Sequence, residues 1–436
     1  MNRSKSHITL VVSLGLTAVL FETAPVWSQE EPDVPPVVSN VRASQRTDGS
    51  KIVDIYYDLT DLDGDPCTIW AFASCDNGQS WNVVVQNATG HIGPSINPGL
   101  NRKIVWDCRT DLPGWFGQLR VRVFADDGRG VSMVPIPAGE FSMGDHHDNM
   151  SYALPLHPVY TDAFLMDQCE VTNQQYLEGL NWALQQGLIY VQGGAVYGTD
   201  NGKLYCDTTQ TSSSSRIVWN GGAFSIVAGK QNHPMVEVSW YGAAAYCNWR
   251  SAMQGRTPAY NTSTWACNFA ANGYRLPTEA EWEKAARGGR YNPYWRYPWG
   301  DSIWGAIANY SSSGDPYEAG STPYTTPVAF YTGALHYKVD FGWPGGATSY
   351  QTANGKNAYG LYDVTGNVWE WCNDWYSSTY YSSSPYNNPR GPSSGTSRVL
   401  RGGGWSLNSA YCRVACRGDV TPDGRYIGFR CVLGTP

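Results

Sequence analysis

Residues 401 to 432, RGGGWSLNSAYCRVACRGDVTPDGRYIGFRCV, hold the densest set of reactive side chains in this 436-residue chain. Cys412 and Cys416 stand four apart and Cys431 follows. Two thiols at that spacing become neighbours on a helix, where they could share a soft metal ion or form a disulfide. On an extended strand, at ~3.3 Å per residue, they lie about 13 Å apart, beyond the roughly 7 Å reach of a disulfide. SAYCRVACRGD has no helix start and closes on a Gly-Asp turn signal, so a strand or loop is expected and the two thiols are not expected to act together.

Other residues could hold metal. NVWE (367 to 370) puts the amide oxygen of Asn367 and the carboxylate of Glu370 in a Gly-rich loop, with backbone carbonyls such as that of Val368 between them. Hard oxygen donors of this kind suit calcium, although the same groups can instead accept from loop amides. DLDGD (61 to 65) is acidic, but its glycine comes too early for an EF-hand loop and the closing Glu is missing, so an ordinary turn is expected. His146, His147 and Asp148, with His157 downstream, resemble a metal cluster in composition only. Adjacent side chains diverge on helices and strands alike, and a polar loop is expected.

The elements that must position these residues can be read along the chain. Arg3 and Lys5 precede an apolar run of 12 residues, Leu10 to Phe21, with Val26 and Ser28 before a cleavage point at Gln29. Residues 1–28 are thus expected to be a secretory signal peptide, too short for the roughly 20 residues a membrane span requires. The expected location is secreted or periplasmic, where disulfides persist. With 47 Gly, 19 Trp, 29 Tyr and 15% charged residues, the chain can bury large aromatic surface while much of its backbone runs in loops. The net charge of −7 includes no basic run, which argues against nucleic acid as a partner.

Residues 36–128 read as an all-β module, because KIVDIYYDL (51 to 59) and QLRVRVFA (118 to 125) alternate apolar with polar residues between turn clusters. This pattern predicts an immunoglobulin-like or fibronectin-like sandwich. Its cysteines, Cys67, Cys75 and Cys108, are odd in number. From residue 133 onward, short helices alternate with long loops. Thr172 with Gln175 and Thr278 with Glu281 form capping boxes, and Ser239 caps WYGAAAYCNWRSAM. The polar segment 188 to 232 is expected to be a surface excursion.

Seven blocks follow one another in order: VPIPAGEFSMGD (134 to 145), HPVYTDAFLMDQCEVTNQQY (157 to 176), HPMVEVSWYGAAAYCNW (233 to 249), YRLPTEAEWEKAARGG (274 to 289), YPWGD (297 to 301), YGLYDVTGNVWEWCNDWY (359 to 376), and RVLRGGGW with IGFRC. Together they resemble the formylglycine-generating enzyme, or sulfatase-modifying factor, family. The resemblance implies an α+β domain over residues 133–436, related to C-type lectins, with little regular secondary structure and bound calcium. In catalytic members two C-terminal cysteines bind copper and use oxygen to convert a cysteine of a client sulfatase to formylglycine. Counted from the double glycine, the first of these falls at Leu407 and the second at Cys412. A single thiolate supplies neither the two-thiolate copper site nor a disulfide partner. The resemblance also implies a bridge between Cys247 and Cys431 and places a second calcium at Asn309 and Asp315; Cys372 in WEWCNDW is expected as the partner of Cys412, which would make Cys412 structural. Arg275, Arg287, Arg401 and Arg430 read as buried ion-pair partners, and Arg417 as a cleft residue.

Two functions stay open on these grounds. One is a divergent or non-catalytic member that binds a protein, peptide or glycan in an aromatic cleft, with the β module as spacer or arm. The other is an active copper- and oxygen-dependent formylglycine-generating oxidase. Fold alone does not choose between them.

Overall fold

The computed structural model describes residues 36–61, 64–77, 83–114, 117–126, 132–289 and 294–434. The expected signal peptide, residues 1–28, lies outside them, as do residues 62–63 of DLDGD.

The alternation in KIVDIYYDL becomes the strand Ile52–Thr60, which buries Val53, Ile55, Tyr57 and Leu59 on one face. This strand pairs antiparallel with Val37–Gln45 on one side and Gly99–Asp107 on the other. A second sheet is built on Cys67–Ser74, which pairs with Arg120–Asp126 and with Gly93–Ile96. Inward side chains of both sheets, among them Ile55, Tyr57, Ile69, Ile104 and Trp106, form one core. Trp70 and Phe72, on the opposite face of the Cys67–Ser74 strand, belong instead to the large core of the following region, with Tyr176 and Trp240. The β region is therefore packed onto the rest of the chain by apolar contact and is not a loose arm.

Downstream, two small sheets organise the loops. In one, the C-terminal strand Val432–Gly434 lies between Phe164–Asp167 and Tyr274–Arg275, with Met133–Ile136 on the far edge. In the other, Trp369–Trp375 pairs antiparallel with Arg398–Arg401 and parallel with Ile427–Gly428. Both sheets thus draw the C-terminal stretch into the centre.

Three helices start where their caps predict. In Asn173–Gln185 the Thr172 hydroxyl accepts from the Gln175 amide at 3.2 Å and the Gln175 side chain returns the bond at 2.8 Å. Glu279–Ala286 repeats this with Thr278 and Glu281, at 3.1 and 2.8 Å. In Trp240–Met253 the Ser239 hydroxyl accepts from the Gly242 amide at 3.0 Å. Gly242 is obligatory there, because a Cβ would stand 2.1 Å from the Tyr205 carbonyl oxygen.

Segment 188–232 departs from the expected surface excursion. It forms a three-stranded sheet (Ile189–Gln192, Ala195–Gly198, Leu204–Asp207) and a hairpin (Ile217–Trp219 with Phe224–Ile226). Ile189, Val196, Tyr205, Cys206, Ile217 and Phe224 enter the main core. Sparse apolar residues spaced between serines and glycines bury efficiently once hairpins align them on one face. No helix among the described residues is long and apolar enough to cross a membrane.

Candidate functional site

The double glycine sets the geometry of the C-terminal stretch. Gly402 and Gly403 adopt φ of +95° and +74°, and a Cβ on Gly403 would stand 2.7 Å from the Cys412 sulfur. Glycine at 403 therefore lets the thiol pack against the backbone. Leu407 follows on a tight turn, its amide donating to the Gly404 carbonyl at 3.0 Å and its carbonyl accepting from Ser311 at 2.8 Å.

Of the expected strand or loop, the segment is a loop that opens on a 3₁₀ turn, Ser409–Cys412, started by Asn408, whose side chain accepts from the Ala410 amide at 3.0 Å. The chain then reverses, with the Cys416 amide donating to the Arg413 carbonyl at 2.9 Å. The chain from Cys412 to Cys416 therefore turns and does not run on as an extended strand. Asn408 is the signal that sequence reading passed over, since Asn is among the best N-caps. Burial pushes the Cys412 thiol up to about 12, and the neighbouring Cys416 adds to the shift. Cys416 is raised by burial as well, and its sulfur lies 3.7 Å from the Tyr152 hydroxyl.

Copper in its reduced state prefers soft thiolates. Here the two family positions hold Leu407 and one deeply buried, protonated thiol, so these residues do not fit the two-thiolate copper site. Around them lie aromatic rings: Tyr324 edge-on to Trp405 at 5.4 Å, Trp369 against the exposed Tyr411 at 6.4 Å, and Tyr297, whose hydroxyl donates to the Ser409 carbonyl at 3.1 Å.

The two sets of calcium candidates are redistributed. Both oxygens of Glu370, fully buried, are held by Arg430: Nε to Oε2 at 2.8 Å and Nη2 to Oε1 at 2.7 Å. Trp282 Nε1 donates to the same Oε2 at 2.9 Å. Glu370 is therefore an ion-pair anchor and is poorly placed to bind a cation. Asn367 keeps Oδ1 on the Thr326 amide at 3.0 Å, and its backbone amide donates to the Asn309 carbonyl at 2.8 Å. The carbonyls of Asn367 and Val368 run beside the double glycine, near Gly404 and Gly402 respectively.

Asn309, assigned to a separate site from sequence, meets Asn367 side chain to side chain at 3.5 Å. Its Oδ1 is buried with no hydrogen-bond donor and is left open to a hard cation. Asp315 caps Pro316–Ala319, accepting from the Tyr317 amide and the Ser313 hydroxyl, both at 2.8 Å. Burial pushes its carboxyl up to about 6. The orphaned Asn309 oxygen is a hard donor of the kind calcium takes, whereas both oxygens of Asp315 already accept hydrogen bonds.

The sulfurs of Cys247 and Cys431 lie 3.5 Å apart, in contact as thiols. Cys372 sits in the apolar cluster with Trp282, Val399 and Val414. All five family arginines are buried and paired. Arg275 holds Glu281, Arg287 and Arg401 both hold Glu283, and Arg430 holds Glu370. Arg417 is no cleft residue: it grips Glu279 through Nε at 2.6 Å and Nη2 at 2.9 Å, with the Tyr381 ring 4.2 Å away. Its position near the C-terminal stretch hid the buried acid on a helix 138 residues away. His147 Nε2 rests 2.8 Å from the Tyr294 carbonyl, Asp148 pairs with Arg296 and Arg413, and His157 packs on Tyr381. Asp61 accepts from the Gly64 amide at 2.9 Å, as a turn residue would.

Residues 122–435 match the sulfatase-modifying factor enzyme 1-like domain, and the chain belongs to that family. It is 32% identical over 330 residues to the formylglycine-generating enzyme of Streptomyces coelicolor, covering 68% of this chain and 88% of that protein. It is 30% identical over 332 residues to the inactive C-alpha-formylglycine-generating enzyme 2 of Bos taurus, covering 71% and 90%. Among solved structures it is similar to Treponema denticola variable protein 1, at 25% identity and a TM-score of 0.45, covering 72% of this chain and 96% of that one.

Proposed function

We propose that this chain is a secreted or periplasmic, divergent or non-catalytic member of the family. Its aromatic surface around Trp405 and Tyr411 would bind a protein, peptide or glycan. The observation that carries this reading is Leu407 at one thiolate position, combined with the burial that keeps Cys412 protonated. A bovine relative named as inactive is compatible with it. The proposed organisation is a signal peptide at residues 1–28, an immunoglobulin-like or fibronectin-like β-sandwich at 36–128, and the family domain at 133–436. Calcium is proposed at Asn309 and Asp315 with Asn367 beside them, and a disulfide between Cys247 and Cys431 under oxidising conditions.

The second reading, an active formylglycine-generating oxidase, draws on the presence of a second thiol, Cys416, four residues after Cys412. Incubating the purified protein with copper, oxygen and a peptide containing Cys-x-Pro-x-Arg separates the two. No gain of aldehyde by mass spectrometry is the expected result. Aldehyde that forms with the wild type and disappears in Cys412→Ser would establish the second reading. Aldehyde that survives that substitution would overturn the assignment of the stretch altogether.

A further inference from the structure

Two sulfurs and one hydroxyl meet where residues 150–153 pack on the C-terminal stretch. The Tyr152 hydroxyl donates to the Met150 Sδ at 3.1 Å and lies 3.7 Å from the Cys416 Sγ. A thioether has no proton to give, so the single phenolic proton goes to Met150 and the Cys416 thiol supplies the proton of the other contact. Arg413 Nη1 donates to the same Met150 sulfur at 3.8 Å. Around these groups Met150, Ala153, Ala415 and Cys416 form a small apolar cluster. Burial pushes the Tyr152 hydroxyl up, so it stays a proton donor near neutral pH.

A thioether sulfur is a weak acceptor, so two donors aimed at one such atom are only weakly satisfied. A sulfoxide oxygen carried by that sulfur would be a strong, polar acceptor for both. A soft metal ion suits the place less well, because the Arg413 guanidinium already sets a positive charge beside the thioether. Met150 also lines a narrow pocket of about 10 Å³ with Asp148, Arg296 and Arg413, whose side chains are half-buried. That is room for about one water-sized molecule, and it gives a small neutral oxidant a way to Met150.

We infer that Met150 is a modification site, oxidised by hydrogen peroxide to the sulfoxide within the intact fold. The sulfur gives an electron pair to one peroxide oxygen, and an S–O bond forms as the O–O bond breaks. The departing oxygen takes the proton of the transferred one and leaves as water, so the thioether is oxidised and the peroxide reduced. The Arg413 guanidinium and the Tyr152 hydroxyl stand where negative charge develops on the departing oxygen, and both then donate to the sulfoxide. A methionine in an apolar core loses its packing when it gains this oxygen, whereas Met150 has the donors for it in place.

Treating the full chain with hydrogen peroxide at pH 7 and mapping peptide masses over time tests this against methionines of the same molecule. Met133 is the matched control: like Met150 it is 8% exposed, but it lies in the main apolar core. Met253, 41% exposed, gives the rate of a thioether that solvent reaches. Met150 is expected to gain oxygen at least about tenfold faster than Met133, the scale of one hydrogen bond to a developing charge. Tyr152→Phe, which keeps the ring and removes the donor, should slow Met150 about tenfold and leave Met253 unchanged. Arg413→Gln, at a half-buried position, should slow Met150 as well and decides the point should Tyr152→Phe not fold. Circular dichroism of protein oxidised at Met150 should match that of untreated protein. Equal rates at Met150 and Met133, a rate at Met150 that either variant leaves unchanged or raises while folded, or loss of the native dichroism on oxidation of Met150 would each overturn the inference.

Discussion

Arg430→Met isolates the contact that decides how the NVWE loop is used. Arg430 is fully buried, grips both oxygens of Glu370, and donates to the carbonyls of Asp167, Gln168 and Tyr362 at 3.1, 3.1 and 2.9 Å. Methionine fills much of the volume but leaves Glu370 as a buried charge without its counterion, which costs about 3–5 kcal/mol. The three carbonyls lose their donors as well, placing the expected loss in the upper half of that range. Two further buried carboxyls share the site. Burial pushes Asp363 up to about 6, and burial together with Asp363 pushes Glu170 up. A carboxyl whose folded pKa lies above its unfolded value contributes stability at low pH and loses it as pH rises through the folded value. Removing the nearby cation raises these carboxyls further, so the deficit of the variant is expected to be largest above pH 7 and to shrink as pH falls below about 6. Urea unfolding at pH 7.5 and 5.5, wild type against variant, measures both effects. A loss under about 1 kcal/mol, or one independent of pH, would refute the ion-pair assignment. Rescue by calcium would return Glu370 to the role of a metal ligand.

Two other outcomes follow from the site. Calcium should raise the thermal midpoint of the wild type, by an amount equivalent to about 2.7 kcal/mol at a hundred times its Kd, and Asn309→Leu should abolish the shift. Identical midpoints in calcium and in chelator would remove the proposed cation from Asn309 and Asp315. Cys412, pushed up to about 12, should be alkylated by iodoacetamide at pH 8 on the order of 1,000-fold more slowly in the folded protein than in urea. Rapid labelling of Cys412 in the native state, read by peptide mass mapping, would contradict its burial.

Much was legible in the sequence because it depends on near neighbours. Thr172 with Gln175 and Thr278 with Glu281 satisfy amides three residues away, so their helix starts could be located before any tertiary contact was known. Period-two alternation located Ile52–Thr60, and the family resemblance, counted from the double glycine, put Leu407 where catalytic members carry a cysteine. Tertiary structure alone decided which partners those residues meet. Glu370 could have been a calcium ligand until Arg430, 60 residues on, arrived on its two oxygens, and Arg417 could have lined a cleft until Glu279 took it. Asn309 and Asn367, assigned to separate sites, meet across 58 residues. The stretch from Ser409 to Cys416 could run as a strand or a loop, and the fold makes it a loop that opens on a short 3₁₀ turn capped by Asn408. Each outcome has the same physical reason: a residue type states which bonds a side chain can make, but a buried polar group takes whichever partner the fold delivers, and the cost of leaving it unpaired makes that choice binding.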